Sequence, residues 1–283
     1  VISIDTYNEG VHFIDFKKPD LVIKKILRSS ISDLICKGVL PKFYFISGSG
    51  NKKTFSKINL SKISKALQQE QKKFNIFLSG GDTTFSNKLN FSITTVGYSQ
   101  NIIYRNNAKF NDDIYVTGNL GDSFVGLQIL KKKIKIKNRI KKYFINKYYQ
   151  PDIQINLAKK LLKFANTSID ISDGLLTDLD KMINSQKFFY KLHLKKIPIS
   201  NNLKKVLNLK KLSKINYISN GDDYQVLFTA SSNKRGIIKK ISSNYGIKLT
   251  QIGSIESNTN KSSIIDDKNK IIGFKKRGYF HQF

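Results

Sequence analysis

Apolar and polar positions alternate along this chain in two rhythms, one of period two and one near three and a half, and their succession predicts the elements. Val1-Ile2-Ser3-Ile4 opens a strand that runs to Thr6, with Asp5 at its end. A loop from Asn8 to Phe13 follows. Pro19 then stands at the first position of a helix, where proline's missing N–H costs nothing, and Gly38 closes it. Ile23, Leu27, Ile31 and Leu34 form its apolar stripe. Asp33 borders that stripe among Ser29, Ser30 and Ser32, either as a solvated surface group or as one that meets a counter-ion at the helix end. Lys42 to Ser47 reads as a strand, and Phe55 to Phe74 as a helix rich in Lys and Gln. Ile76-Phe77-Leu78 reads as a short buried strand that ends in a turn at Gly80-Gly81. The next strand begins near Leu89 and puts Phe91, Ile93 and Thr95 on one face.

After a polar connector, Asn101 to Asn111, a second set of elements begins. Asp113 to Gly118 is a strand running into Gly121-Asp122-Ser123, and a helix continues through Gly126 and Leu127. Pro151 is expected to open a helix through Phe164. Asp170-Ile-Ser-Asp173-Gly then leads into a helix reaching about Asn184, with Ser172 as its cap and Asp173 in its first turn. Phe188 to Leu194 is strand-like, Asn220 to Tyr224 a turn, and Gln225 to Phe228 a strand. A helix from Arg235 to Ser243 and strands near Leu249 and Ile264 complete the set. Alternating strands and helices of this kind predict an α/β (α+β) protein of two domains, 1–98 and 110–283.

Composition changes this picture little. The 283 residues are 40% hydrophobic, without an apolar run of membrane-spanning length. The single cysteine, Cys36, excludes an internal disulfide and any cysteine-based zinc cluster, and fits a reducing cytoplasm. The net charge of +30 raises the question of nucleic acid. The lysines, however, are spread along nearly the whole chain, and no zinc-finger spacing, RNA-recognition aromatic signature or helix-turn-helix accompanies them. The densest basic run, Lys131 to Lys142, reads as a solvated surface helix or loop, with a basic edge for a polyphosphate as the alternative. The chain opens at Val1 inside a strand-like run rather than at Met, so further residues are expected upstream.

The chemistry lies in the acids. Asp5, Asp82, Asp170 with Asp173, and Asp222-Asp223 stand at strand ends or turns, and Asp33 adds a fifth site on a helix. Carboxylates gathered in an otherwise basic chain repel one another unless cations bridge them. Mg²⁺ binds through a few carboxylates plus substrate phosphates, so the set suits nucleotide chemistry. Neither a P-loop nor a protein-kinase signature is present.

Five runs occur in one order: Ile4-Asp5-Thr6 with Glu9-Gly10-Val11-His12-Phe13; Ser79-Gly80-Gly81-Asp82-Thr83-Thr84; Tyr115 to Ser123; Ile169-Asp170-Ile171-Ser172-Asp173-Gly174-Leu175; and Gly221-Asp222-Asp223-Tyr224. Together they cover nearly the whole chain, and the ordered set resembles thiamine-monophosphate kinases, relatives of the aminoimidazole-ribotide-synthetase-like ATP enzymes. The resemblance implies a homodimer of two-domain subunits whose N-terminal sheets pair, with ATP between the domains. It implies transfer of the γ-phosphoryl of ATP to thiamine monophosphate, giving thiamine diphosphate. It also implies several Mg²⁺ ions near Ser3, Ile4, Asp5, Asp33, Asp82, Asp170 and Asp173. Gly81, Asp82, Arg105 and Ser172 would touch ATP, and His12, Asp222 and Tyr279 would line the thiamine site. Asp5, Asp82 and Asp170 would be the catalytic carboxylates.

Ile4 stands where the resembled family has a hydroxyl residue, leaving only its backbone carbonyl to ligate, and Asp222 stands where Glu is usual. Arg105 matches by spacing, and the family's Gly-Asp-Asp-Ala segment, a further ligand, is expected upstream of Val1. Two other readings differ in what they require. A related synthetase or selenophosphate-type enzyme carries other motifs, the latter a reactive Cys near the start, whereas Cys36 on a helix reads as a core thiol. A nucleic-acid binder would show salt-steep affinity and no Mg-ATP site.

Overall fold

The computed structural model describes residues 1–257, 261–273 and 278–279. The first half runs β1 (Ile2–Asn8), α1 (Pro19–Cys36), β2 (Pro41–Gly50), α2 (Lys57–Phe74), β3 (Phe77–Phe85) and β4 (Asn90–Gly97). The second continues with β5 (Asp113–Thr117), α3 (Asp122–Leu130), α4 (Asn138–Tyr149), α5 (Ala158–Leu161), β6 (Thr167–Asp170) and α6 (Leu175–Met182). It ends with β7 (Phe189–His193), α7 (Asn201–Lys210), α8 (Lys214–Ile218), β8 (Val226–Ala230), α9 (Arg235–Tyr245), β9 (Leu249–Glu256) and β10 (Ser263–Ile265). Among the described residues the strands form a four-stranded sheet, β1-β4-β2-β3, and a six-stranded one, β10-β7-β9-β5-β8-β6. β2 with β3 and β10 with β7 are parallel, and the other neighbours antiparallel.

α1 lies between these layers. Pro19 is at its start, and Gly38 follows its end at φ +79°, a left-handed conformation that glycine adopts without strain. Ile23, Ile26, Leu27 and Ile31 pack with Tyr7, Tyr44 and Ile93 of the first sheet. Ile35 and Cys36 pack with Leu157, Phe164, Val226 and Phe228 of the second half. Each such side chain, once fully buried, stabilises the fold by about 1.5–3 kcal/mol. α2 covers the same side of the first sheet, capped by Ser56, whose side chain accepts from Asn59 N–H. Arg28 of α1 grips Glu70 of α2 through two hydrogen bonds of 2.7 and 2.9 Å and donates a third, 3.1 Å, to the Pro151 carbonyl.

β4 alternates as expected, with Phe91, Ile93 and Thr95 buried. Other expectations need correction. Gly80-Gly81 is not a turn. β3 runs straight through it as an edge strand, exposed along its length, and of Ile76, Phe77 and Leu78 only Ile76 is buried. The glycines answer a different demand, because a Cβ on Gly81 would lie 2.0 Å from the Ile46 carbonyl oxygen of β2. Asp5 lies mid-strand, opposite Ile93, rather than at a strand end. Pro151 opens no helix: its carbonyl is taken by Arg28, and the chain is irregular until a 3₁₀ turn at Ile155–Leu157 and the short α5. Part of the basic run is helical, as α4. Among the described helices, none is long and apolar enough to cross a membrane.

Candidate active site

β1, α1, the loop after β6 and the loop before β8 converge on a cleft of about 880 Å³. The pleat of β1 sends Ser3, Asp5 and Tyr7 towards α1, and Ile2, Ile4 and Thr6 to the opposite, exposed face. α1 answers with serines, whose small side chains leave room for carboxylates. Ser3 Oγ donates to Asp33 at 2.5 Å, Ser32 Oγ to Asp170 at 2.6 Å, and Ser29 Oγ to the Tyr7 hydroxyl at 2.7 Å. Asp5 Oδ2 is buried and, among the described residues, has no hydrogen-bond partner. A second cavity, about 300 Å³, includes Ser3, Lys37, Arg105 and Lys181 in its lining. Asp33, Asp170 and Ser172 line both cavities, so the two meet at the carboxylates.

The electrostatics are those of crowded, partly desolvated acids. Burial, then the charge of Asp33, raises Asp5 to about 6. Burial raises Asp33 against the opposing Ser3 hydrogen bond and the Lys37 and Arg105 charges. Burial and the charge of Asp33 push Asp170 well above the usual carboxylate range. Among the described residues no group of three or more Asp, Glu, His or Cys side chains is arranged to hold a metal ion. Even so, the orphaned oxygen of Asp5 and the mutual destabilisation of these acids are the conditions a hard, oxygen-seeking cation relieves.

The two loops at the floor are joined by their backbones. Asp222 N–H donates to the Ser172 carbonyl and Tyr224 N–H to the Ile171 carbonyl, both at 2.9 Å. A Cβ on Gly221 would sit 1.6 Å from the Ser172 oxygen. Ser172 does not cap the following helix: α6 starts at Leu175 after Gly174, whose φ is +120°. Fully buried Asp178 takes the capping role from inside the helix, accepting from Asp173 N–H at 2.9 Å and Gly174 N–H at 3.0 Å. Asp173 is therefore ahead of the helix, and its carboxylate is held by Lys181.

The expected acceptor-site residues also line the cleft. His12 Nδ1 accepts from Asn8 N–H at 2.9 Å, and its ring stands edge-on to Tyr7 at 5.8 Å. Asp222 Oδ1 accepts from Lys25 Nζ at 2.6 Å and from the Tyr224 hydroxyl at 3.1 Å. Lys25 is 2% exposed, with its ammonium 4.1 Å from the centroid of the Tyr148 ring. Tyr279 lies at the rim, its N–H bonded to the Asp173 carbonyl at 3.0 Å. Lys25, Tyr7, Tyr224 and Asp178 were not singled out from the sequence. The helical face shared by Lys25, Ser29 and Asp33 was the available signal for the first, and the two-residue step from Asp5 for Tyr7.

Two expected residues, Gly81 and Asp82, do not join this group within one chain. The register Thr6–Ser92–Ser47–Asp82 sets Asp82 three strands from β1, about 14 Å at the usual strand spacing, on the exposed face opposite to Asp5. Gly81 is beside it. Ile4 presents its side chain to the exposed face as well, 69% exposed.

Known proteins resemble this chain along its length. Residues 1–99 match the family model "AIR synthase related protein, N-terminal domain". The thiamine-monophosphate kinase of Buchnera aphidicola subsp. Acyrthosiphon pisum is 37% identical over 286 residues, covering 99% of this chain and 86% of that protein. The Escherichia coli thiamine-monophosphate kinase is 28% identical, with the same coverage. Among solved structures, "AaThiL complexed with AMPPCP and TMP" superposes with a TM-score of 0.85 at 27% identity, covering 99% of this chain and 86% of that one. The thiamine monophosphate kinase of Aquifex aeolicus gives a TM-score of 0.83 at 27% identity, covering 96% and 88%.

Proposed function

The chain belongs to the thiamine-monophosphate kinase family, and from that footing we propose that it converts thiamine monophosphate to thiamine diphosphate with ATP as phosphoryl donor. The observation that carries this reading is the meeting of two cavities at Asp33, Asp170 and Ser172. The smaller one, beside Arg105, takes the phosphates of ATP. The larger one, with His12, Asp222 and Tyr279, takes thiamine monophosphate. An oxygen of the acceptor phosphate attacks the γ-phosphorus while the bond to the β–γ bridging oxygen breaks, and ADP leaves. The acceptor is already an anion, so no side chain has to remove a proton. What the protein must supply is alignment and relief of repulsion between two polyanions.

Asp5, Asp33 and Asp170, with Ser3, the backbone carbonyl of Ile4 and Asp173 at the border, are the residues that would hold Mg²⁺ ions. When bound, the ions would neutralise phosphate charge and orient the reacting oxygens. Arg105 contributes a guanidinium suited to phosphate oxygens. Asp222 has one oxygen committed to Lys25 and Tyr224, which fixes its carboxylate beside the acceptor.

The homodimer supplies a role for Asp82. The exposed face of the first sheet carries apolar rows, Ile2–Val96–Phe43–Phe77 and Ile4–Thr94–Phe45, next to the polar row that ends in Asp82. Ile2, Ile4, Phe45 and Phe77 are 41–69% exposed. A second copy covering this face buries them and carries its Gly81-Asp82 towards the neighbour's carboxylates.

A coupled assay with Mg-ATP and thiamine monophosphate tests the activity, and absence of ADP release dependent on the acceptor overturns it. Asp170→Asn and Asp82→Asn are each expected to lose most turnover. Co-refolded together, the two inactive variants are expected to recover about a quarter of wild-type activity, because half the dimers carry one intact site. No recovery places Asp82 in its own chain's site or outside catalysis.

A further inference from the structure

The densest basic run of the sequence has a place in this cleft. α3 ends at Leu130, and Lys132, at φ +58°, turns the chain back. The turn is ordered by its own backbone: Lys131 N–H donates to the Leu127 carbonyl at 2.9 Å, Lys132 N–H to Ile129 at 2.9 Å, and Lys133 N–H to Gln128 at 2.8 Å. Just beyond the turn, Ile134 and Ile136 anchor the chain on the cluster formed by Val125, Phe144 and Leu203. Lys131 and Lys133 consequently line the larger cavity, the one that also holds Asp5, Asp33, Asp170 and Asp222. The smaller cavity has its own cations, Lys37, Arg105 and Lys181. Both lysines of the turn are exposed, and among the described residues neither ammonium has an ion-pair partner.

A cavity lined by both carboxylates and ammonium groups suits a phosphate bound by a metal-bearing group of side chains and a cationic one. Helix polarity alone accounts for cations after α3, but not for two of them bordering the acceptor cavity. Resting on the reading of the larger cavity as the acceptor site, we propose that Lys131 and Lys133 bind the phosphate of thiamine monophosphate and discriminate it from unphosphorylated thiamine. Ammonium groups on flexible stems follow the phosphate as its charge changes on becoming part of a diphosphate.

The test is calorimetric binding to the full chain with Mg²⁺ present, for thiamine monophosphate, thiamine and a non-hydrolysable ATP analogue separately. A Lys131→Met, Lys133→Met double variant is compared with a Lys141→Met, Lys142→Met control from the same basic run. The expected result is about a tenfold loss of affinity for thiamine monophosphate, the size of one charge-assisted contact, which shrinks at high salt. Affinity for thiamine and for the ATP analogue stays within about twofold, and the control variant binds as wild type. Unchanged binding of the monophosphate, or an equal loss for thiamine, or an equal loss in the control, overturns the proposal. If the wild-type chain binds no thiamine compound, the reading of the site itself fails. Selective binding by wild type that the double variant retains defeats the lysines alone.

Discussion

Asp5 is costly to the free protein and, on the proposed reading, useful to the loaded one. Its buried Oδ2 makes no hydrogen bond of normal geometry among the described residues, and burial and the charge of Asp33 outweigh the relief that nearby Ser30 and Tyr7 give. A carboxyl held at about 6 in the fold, against about 3.9 in an unfolded chain, binds its proton more tightly when folded. Its contribution to stability is therefore full below about pH 4 and is lost as pH rises through about 6. Asp5→Asn is expected to raise the melting temperature of the metal-free protein at pH 7.5 and leave it unchanged near pH 3.5, while turnover falls. A lower melting temperature at pH 7.5 would show that Asp5 is not held against repulsion. Lys25 presents the opposite case, a cation sealed under Tyr148 with Asp222 as its counter-ion. Lys25→Met is expected to destabilise by about 3 kcal/mol in chemical denaturation, since it strands a carboxylate beside a buried surface. Adding Asp222→Asn, which removes the stranded charge and tolerates the φ of +68° at this position, is expected to restore much of that stability and none of the affinity for thiamine monophosphate.

At the level of elements, what could be read from the chain depended on whether the signal was local. Pro19 and Gly38 bound α1, and the two-residue beat of Phe91, Ile93 and Thr95 gives β4 its inward face, because those positions obey their own helix or strand. Gly80-Gly81 misleads, since glycine serves a turn and a tight interstrand approach equally well, and only the partner strand decides between them. Ser172 misleads for a similar reason: the capping oxygen comes from Asp178, behind Gly174, rather than from the hydroxyl ahead of it. The carboxylate cluster was legible as a set of motifs, yet its sidedness was not. Nothing local says that Asp5 and Asp82 point to opposite faces of one sheet. The joined loops yield an element-scale prediction. Gly221→Ala must force the 170–174 and 220–224 segments apart, and a kcat reduced by at least about a hundredfold with a lowered melting temperature is expected, overpacking of this kind costing about 1–3 kcal/mol. Near-normal turnover would mean that the two loops need not touch.

For the whole molecule, the exposed face of the first sheet is an apolar surface left uncovered among the described residues. Phe45→Lys lies at its centre and away from the cleft's hydrogen bonds. It is expected to yield monomers by light scattering, with turnover lost although each chain still binds the ATP analogue. A fully active monomer would remove the partner from the reaction. The +30 charge, in contrast, is carried on so many surfaces that composition alone could not say which lysines matter; the fold turns a few of them into cavities, Lys131 and Lys133 among them.

The position of α1 has a consequence for how substrates get in. It is clad by the first sheet along one flank and by β6, β8 and α5 along the other, and it bears Lys25, Ser29, Ser32 and Asp33 besides. A hinge swinging the halves like jaws would have to strip one flank of this shared spine. Pieces 1–98 and 110–283 made apart would thus each lack half of a common interior.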